Sequence, residues 1–503
     1  MSETMRNQLF HEILMARQRV YAVARPTPLE PIEVPIDAEV LLKREDVSPI
    51  HAYKWRGAYN RMAQLTVPER QHGVVCASAG NHAQGVALAA QKLNVRARIY
   101  MPTATPRMKQ VAVKRHGGDH VEVILTGDTY DDAAAEARRN AADSGRIFVH
   151  PYDDLAVMGG QGTLADEVVM AAERPIDVAY LQIGGGGMAA AVACWLKAYY
   201  PGIRIVGVEG VEQASMAAAV KAGKPVTLDY VDVFCDGTAV KRAGDLTYPL
   251  CAELIDEFIT VTNEEVCAAI QVLWETRRRI PEPSGAMGLA GLLQQADRLK
   301  GQLALSVLCG ANMDFGQLSW VARNAGIGAA RRRYFRIAID ERGGSLLDLL
   351  DTAMDGLNII EFQYGKVDPK CAYPVIGVEA SAPELHVLEE RLREHGYAYE
   401  DVTSCADVEF RMVHYESSLF HLPYLIILEF PERAGALRDF LRDARSLGSI
   451  CYFNYLFTGE QVGRALLGFE FENEDKRQAF KQMLDGSHWV HREVSGDVFQ
   501  RVM

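Results

Sequence analysis

From about residue 37 to residue 315, short apolar runs alternate with longer stretches of helical period, and this alternation restricts the chain more than any other feature. Gly73-Val74-Val75-Cys76-Ala77 precedes a helical pattern over Asn81 to Leu93. Ala97-Arg98-Ile99-Tyr100-Met101 precedes another over Thr105 to His116. Val178 to Ile183 leads into Met188 to Tyr200, and Ile203 to Val208 follows. A run apolar at every position reads as a strand buried on both faces, and a helix after each strand returns the chain to start a parallel neighbour. The expectation is an α/β fold with parallel sheets and flanking helices. Ligands of such sheets sit beyond the carboxyl ends of the strands, so the turns there carry the chemistry.

Four of those turns are unusual. Val40 to Asp46 reads as a strand that Pro49 breaks, with a helix over His51 to Met62 whose first turn holds Lys54. A bare ammonium opposes the positive end of a helix dipole. A lysine bonded through its nitrogen to an aldehyde carries no free ammonium, although a solvated surface lysine is the plainer alternative. Ser78 to Gly85 follows a strand and opens a helix; its small residues admit a ligand, and Asn81 offers donor and acceptor groups. Helix capping alone would need only one of its Ser, Gly and Asn residues. Gly184-Gly185-Gly186-Gly187-Met188 closes an apolar strand, and consecutive glycines suit bare amides gathered around an anion at a helix start. No Gly-Lys-Ser/Thr follows, which excludes a nucleotide P-loop. Val307 to Asn312 ends another strand in a small polar turn bearing Cys309.

The net charge of −13, with no basic run beyond Arg331-Arg332-Arg333, argues against nucleic acid and anionic membrane as partners. No apolar segment is long enough to span a bilayer, and the first residues lack a signal core, so a cytoplasmic location is expected. Nine scattered cysteines without a Cys-x-x-Cys pair fit a reducing compartment and speak against structural zinc, so no metal site is expected.

A lysine nucleophile, an Asn-bearing turn, a glycine cradle and a neutral polar group suit one ligand with an aldehyde, a ring and a phosphate: pyridoxal 5'-phosphate. The chain resembles the biosynthetic threonine deaminases (threonine dehydratases) of the fold-type II pyridoxal enzymes. The resemblance runs through Ala52-Tyr53-Lys54, Ser78 to Gly85, Gly159 to Leu164, Gly184 to Gly187, Ala239-Val240-Lys241-Arg242, Glu282-Pro283-Ser284-Gly285-Ala286 and Cys309-Gly310-Ala311-Asn312. It implies that Lys54 is the catalytic lysine that bonds the cofactor and that Asn81 bonds the ring hydroxyl. It also implies that the amides of Gly184, Gly185, Gly186 and Gly187 hold the phosphate, with Met188 ending that loop, and that Cys309 faces the pyridine nitrogen. The implied reaction takes L-threonine to 2-oxobutanoate and ammonia, and L-serine to pyruvate. The chain departs from the family in carrying Cys309 where serine is usual, Trp55 after the lysine, and Ala191 where glycine is common.

Beyond Phe315 the pattern changes. Gln317 to Arg333 reads as a helix and basic connector, after which the chain repeats itself. Ile339-Asp340-Glu341-Arg342-Gly343-Gly344-Ser345-Leu346 matches Phe430-Pro431-Glu432-Arg433-Ala434-Gly435-Ala436-Leu437, an offset of 432 − 341 = 91. The same offset brings Phe362 onto Phe453 and Tyr364 onto Tyr455. An ungapped match at both ends of a unit marks a duplicated module. The copies resemble ACT-type regulatory modules. The expected organisation is a catalytic domain over 1–329 and two regulatory modules over 330–415 and 416–503. By resemblance, isoleucine and valine are the expected effectors and a homotetramer the expected assembly.

Overall fold

Ten strands lie between residues 29 and 308 of the computed structural model: β1 (Leu29–Ile32), β2 (Glu39–Arg44), β3 (Val74–Ala77), β4 (Ala97–Met101), β5 (Val121–Leu125), β6 (Ile147–Phe148), β7 (Val178–Gln182), β8 (Arg204–Gly210), β9 (Glu257–Val261) and β10 (Leu303–Leu308). The structure describes residues 2–340, 345–363, 370–405, 408, 421–431, 440, 443–444, 447–456 and 462–494. The chain divides into two compact units, 1–321 and 322–503.

In the first unit the strands form two sheets, ordered β1-β2-β10-β7-β8-β9 and β5-β4-β3-β6. Every neighbouring pair is parallel except β1–β2. β1 carries Pro31, tolerable because it is an edge strand. β3, β7 and β10 are buried along their whole length, as unbroken apolar runs require. Helices Asn81–Leu93, Arg107–Gly117 and Gly187–Tyr199 follow β3, β4 and β7. The second begins two residues later than the pattern predicts, because Pro106 takes the position before its first turn. An N-terminal helix, Ser2–Tyr21, lays Leu9 and Ile13 into the apolar cluster formed with Met158, Leu164 and Trp195.

One local expectation fails where it matters most. The helix after β2 spans Trp55–Ala63, so Lys54 lies just before its first turn, not within it. The preceding segment is held by the end of β10 instead. Tyr53 N–H donates to the Cys309 carbonyl (3.1 Å), Ala311 N–H to the His51 carbonyl (2.9 Å), and Ala52 bridges Gly310. Backbone groups spent on that pairing cannot close helical turns, and His51 takes a left-handed φ of 57°.

The second unit bears out the duplication. Its first sheet joins β11 (Arg332–Ile337), β13 (Asn358–Gln363), β15 (Val375–Glu379) and β16 (Tyr399–Asp401), beside a short pair β12 (Ile339–Asp340) and β14 (Cys371–Ala372). Its second sheet joins β17 (Tyr424–Pro431), β18 (Ser449–Leu456), β19 (Val462–Glu470) and β20 (Val490–Glu493). The strand orders, β13-β15-β11-β16 and β18-β19-β17-β20, are the same, and all pairs are antiparallel. Register repeats as well: Phe335 lies opposite Ile376, and Ile426 opposite Leu467. A bulge falls between Ile359 and Glu361 and again between Ile450 and Tyr452, an offset of 450 − 359 = 91. A local kink kept in both copies is a built feature of the module. Arg332 and Arg333 open β11, so the run expected as a connector is partly strand. Glu341 to Gly344, Tyr364 and Glu432 to Leu437, which carry part of the sequence match, lie outside the described residues. Among the described residues, no helix is long and apolar enough to cross a membrane.

Candidate active site

Lys54 sits between two anchors. On one side is the β10 pairing described above. On the other, helix Trp55–Ala63 crosses helix Leu155–Ala171 where Gly57 and Gly160 face each other; a Cβ on Gly160 would lie 2.6 Å from the Gly57 Cα. Beneath both runs a fully buried ionic cluster. The Arg56 guanidinium donates to Glu45 (2.9 Å) and Glu167 (2.9 Å), and Lys43 reaches Glu167 and the Thr27 carbonyl. All four charged side chains are at most 1% exposed. The two cations and two carboxylates compensate one another, which is what makes their burial tolerable.

The Lys54 amine donates to the Pro151 carbonyl (3.1 Å). Desolvation lowers its pKa to about 8, against the opposing pull of Cys309 and Glu282. Burial pushes the Cys309 thiol far up, so it is neutral near pH 7 and Glu282 is the charge that counts. Next to Pro151, Tyr152 packs on the glycine turn: a Cβ on Gly187 would meet the Tyr152 carbonyl at 2.7 Å, and one on Gly185 would enter its ring. Gly184 is closed off by Thr238, whose Cα stands 2.9 Å from a Cβ built there. Gly186 has φ +92°, a conformation that L side chains rarely adopt. Thr247 Oγ1 donates to the Gly185 carbonyl (2.6 Å) and pins the turn from outside. Gly187 and Met188 are the first residues of helix Gly187–Tyr199, so their N–H groups have no acceptor within it.

The contacts close a circuit. Thr238 Oγ1 lies 3.3 Å from Ser284 Oγ, and the buried Cys309 thiol donates to the Ser284 carbonyl (3.6 Å). Cys309 in turn holds Tyr53 through its carbonyl. Asn81 opens its helix without capping it; Gly80 holds the cap position and makes no side-chain bond. The Asn81 amide instead donates to Glu282 Oε1 (2.7 Å) and accepts from Asn312 Nδ2 (2.7 Å). A Cβ on Gly85 would approach the Lys54 carbonyl at 3.1 Å, so this helix packs directly behind the lysine. Segments bearing Lys54, Asn81, Gly184 to Gly187, Met188 and Cys309 are therefore linked through one set of contacts.

Sequence reasoning gave no role to Pro151, Tyr152, Thr238, Glu282 or Asn312. Glu282 did leave a signal: it precedes Pro283 at a helix start, yet its side chain caps nothing.

These residues fit pyridoxal phosphate on the structure's own terms. A Cβ anywhere on the glycine turn would collide with Thr238, Tyr152 or Met216, so its backbone amides stay bare of side chains; they head a helix, and a half-buried amine of lowered pKa is linked to the turn through Pro151 and Tyr152. The fold and site define a pyridoxal-phosphate dependent enzyme, and residues 20–310 match the model of that family. Residues 418–502 match the C-terminal regulatory domain of threonine dehydratase. The biosynthetic L-threonine dehydratase of Burkholderia multivorans is 37% identical, over 96% of this chain and 97% of that protein. The Escherichia coli enzyme of the same name is 38% identical over 91% and 90%. Among solved structures, the processed form of threonine deaminase isoform 2 from Solanum lycopersicum superposes with TM-score 0.61 at 40% identity, covering 64% of this chain and 94% of that one. Maize serine racemase superposes with TM-score 0.57 at 29% identity, over 64% and 98%. The chain belongs to the family of biosynthetic threonine dehydratases.

Proposed function

We propose that this chain is a threonine ammonia-lyase that converts L-threonine to 2-oxobutanoate and ammonia, and L-serine to pyruvate and ammonia, on the route to isoleucine. The observation that carries the reading is Lys54, an amine with pKa about 8 linked by contacts to a glycine cradle, Asn81 and a neutral thiol. Pyridoxal phosphate, when bound, supplies the electron sink that makes the substrate's α-C–H acidic. Lys54 would hold the cofactor, and its amine is the group that would accept the substrate's α-proton. The amides of Gly184 to Gly187 and Met188 would hold the phosphate, and Asn81 would donate to the ring hydroxyl. Cys309, neutral by burial, would be the group offered to the ring nitrogen and would supply no anion to fix a proton there. Loss of the α-proton and β-hydroxyl removes water, and the released enamine tautomerises and hydrolyses to the 2-oxo acid and ammonia.

The catalytic domain is assigned to 1–329 and the regulatory modules to 330–415 and 416–503. The duplicated register supports a pair of like modules. Isoleucine inhibits through them and valine relieves the inhibition. The active assembly is a homotetramer and works in the cytoplasm. The deciding measurement is 2-oxo acid formation from threonine and serine, with and without isoleucine and valine, alongside chiral analysis of recovered serine. Racemised serine without 2-oxo acid would place the chain with the racemases; a purified protein lacking any cofactor absorbance would make it a non-catalytic amino-acid sensor.

A further inference from the structure

Glu282, Asn81 and Asn312 form a closed ring of hydrogen bonds. Asn81 Nδ2 donates to Glu282 Oε1 (2.7 Å), the Asn312 backbone N–H donates to Glu282 Oε2 (3.1 Å), and Asn312 Nδ2 donates to Asn81 Oδ1 (2.7 Å). Asn312 Nδ2 also donates to the Ile50 carbonyl (2.8 Å), so both of its N–H bonds are spent. Turning the Asn312 amide over would set its oxygen against two acceptors, which fixes its orientation. Asn312 then fixes the oxygen end of Asn81, and Glu282 takes one of the two Asn81 N–H bonds. The other has no acceptor among the described residues.

We infer that Glu282 and Asn312 are positioning residues that hold the Asn81 amide with this second N–H presented to the cofactor, and that they do so only while Glu282 is ionised. The inference rests on the reading of Asn81 as a cofactor contact. A carboxylate accepts both incoming N–H bonds. A proton on either oxygen weakens it as an acceptor for the N–H already there. Asn81 Oδ1 and the Ile50 carbonyl already accept from Asn312 Nδ2, so that proton could turn to either only in competition with the bonds that orient the ring. The Asn312 backbone cannot turn away, and a flipped Asn81 would set its Nδ2 against Asn312 Nδ2. Protonation therefore loosens the ring.

The titratable and charged groups that act on Glu282 are Asp236, Lys109, Tyr53, Lys54 and Cys309. Burial, with Asp236 adding to it, raises the Glu282 pKa to about 7 against the Asn81 and Asn312 bonds and Lys109. The oriented amide is thus present above neutrality and lost as pH falls through it.

The test uses the full chain, loaded and stripped of cofactor. In the parent, the absorption spectrum of bound pyridoxal phosphate should change with an apparent pKa of about 7. Glu282→Gln should erase that transition and weaken cofactor binding, titrated into apoprotein, by about tenfold. Asn312→Ala should weaken binding similarly and stands in should Glu282→Gln not fold. Glu282→Asp, a shorter carboxylate, should keep a pH-dependent spectrum. Asn81→Ala separates the two layers. If it binds cofactor with parental affinity and spectrum, the Asn81 reading fails and the inference with it. If Asn81→Ala weakens binding while Glu282→Gln and Asn312→Ala match the parent, positioning is wrong and the Asn81 reading stands. A Glu282→Gln protein that binds weakly but keeps the transition near neutrality marks a merely structural role and overturns the inference.

Discussion

In the proposed reaction one amine, that of Lys54, carries two tasks, attachment of the cofactor and acceptance of a proton. Lys54→Ala is expected to abolish 2-oxo acid formation while the thermal unfolding profile stays close to the parent's; residual turnover within tenfold of the parent would remove Lys54 from the reaction. The lowered pKa has its own consequence. Only the neutral amine attacks an aldehyde, and desolvation brings half-deprotonation down from the ordinary lysine range to about pH 8. The rate at which apoprotein takes up pyridoxal phosphate should rise about tenfold per pH unit below that point and level off above it. A rate still climbing steeply well past pH 9, as about expected for an unshifted lysine, would show that burial does not tune this amine.

At the scale of elements, the glycine turn and the buried ionic cluster do different work. The turn must keep φ +92° at Gly186 and keep Gly185 and Gly187 against Tyr152. Gly186→Ala adds a methyl 3.0 Å from Thr247 in a backbone conformation that costs about 1–3 kcal/mol for an L side chain. Cofactor affinity should fall about tenfold or more, read by titration of apoprotein. Parental affinity would mean that the turn tolerates another shape and does not cradle the phosphate. The cluster instead joins β2, the Lys54 helix and helix Leu155–Ala171 through charges removed from water. Glu167→Ala leaves Lys43 and Arg56 with Glu45 as their main counter-charge and should destabilise the fold by about 3–5 kcal/mol in denaturant unfolding. A loss below about 1 kcal/mol would show that water or relaxation takes the carboxylate's place.

For the whole molecule, the two compact units, 1–321 and 322–503, invite separation of chemistry from control. A chain ending at Arg331 should still form 2-oxobutanoate but lose its response to isoleucine. In the full chain isoleucine should shift activity at least about fivefold, the lower range of allosteric coupling. A folded, truncated chain that remained fully isoleucine-sensitive would place the effector site in the first unit.

Much of this was written locally. The apolar runs of β3, β7 and β10 declare buried parallel strands because nothing polar interrupts them, and four glycines in a row declare a backbone that a ligand or side chain must approach. The duplication was legible as an offset of 91 residues because the two modules keep the same strand order and the same bulge. Other features depend on residues far apart in the chain and left no comparable mark. The helix at Lys54 begins late because the end of β10, 310 − 52 = 258 residues on by the Ala52–Gly310 bridge, claims the backbone before it. The pKa of Lys54 and that of Glu282 are products of burial, which no single stretch encodes. The Glu282–Asn81–Asn312 ring exists only once three separate turns meet. Sequence determined the elements and the chemical groups they carry; tertiary structure alone decided which groups meet, how dry they are, and therefore which protons they hold.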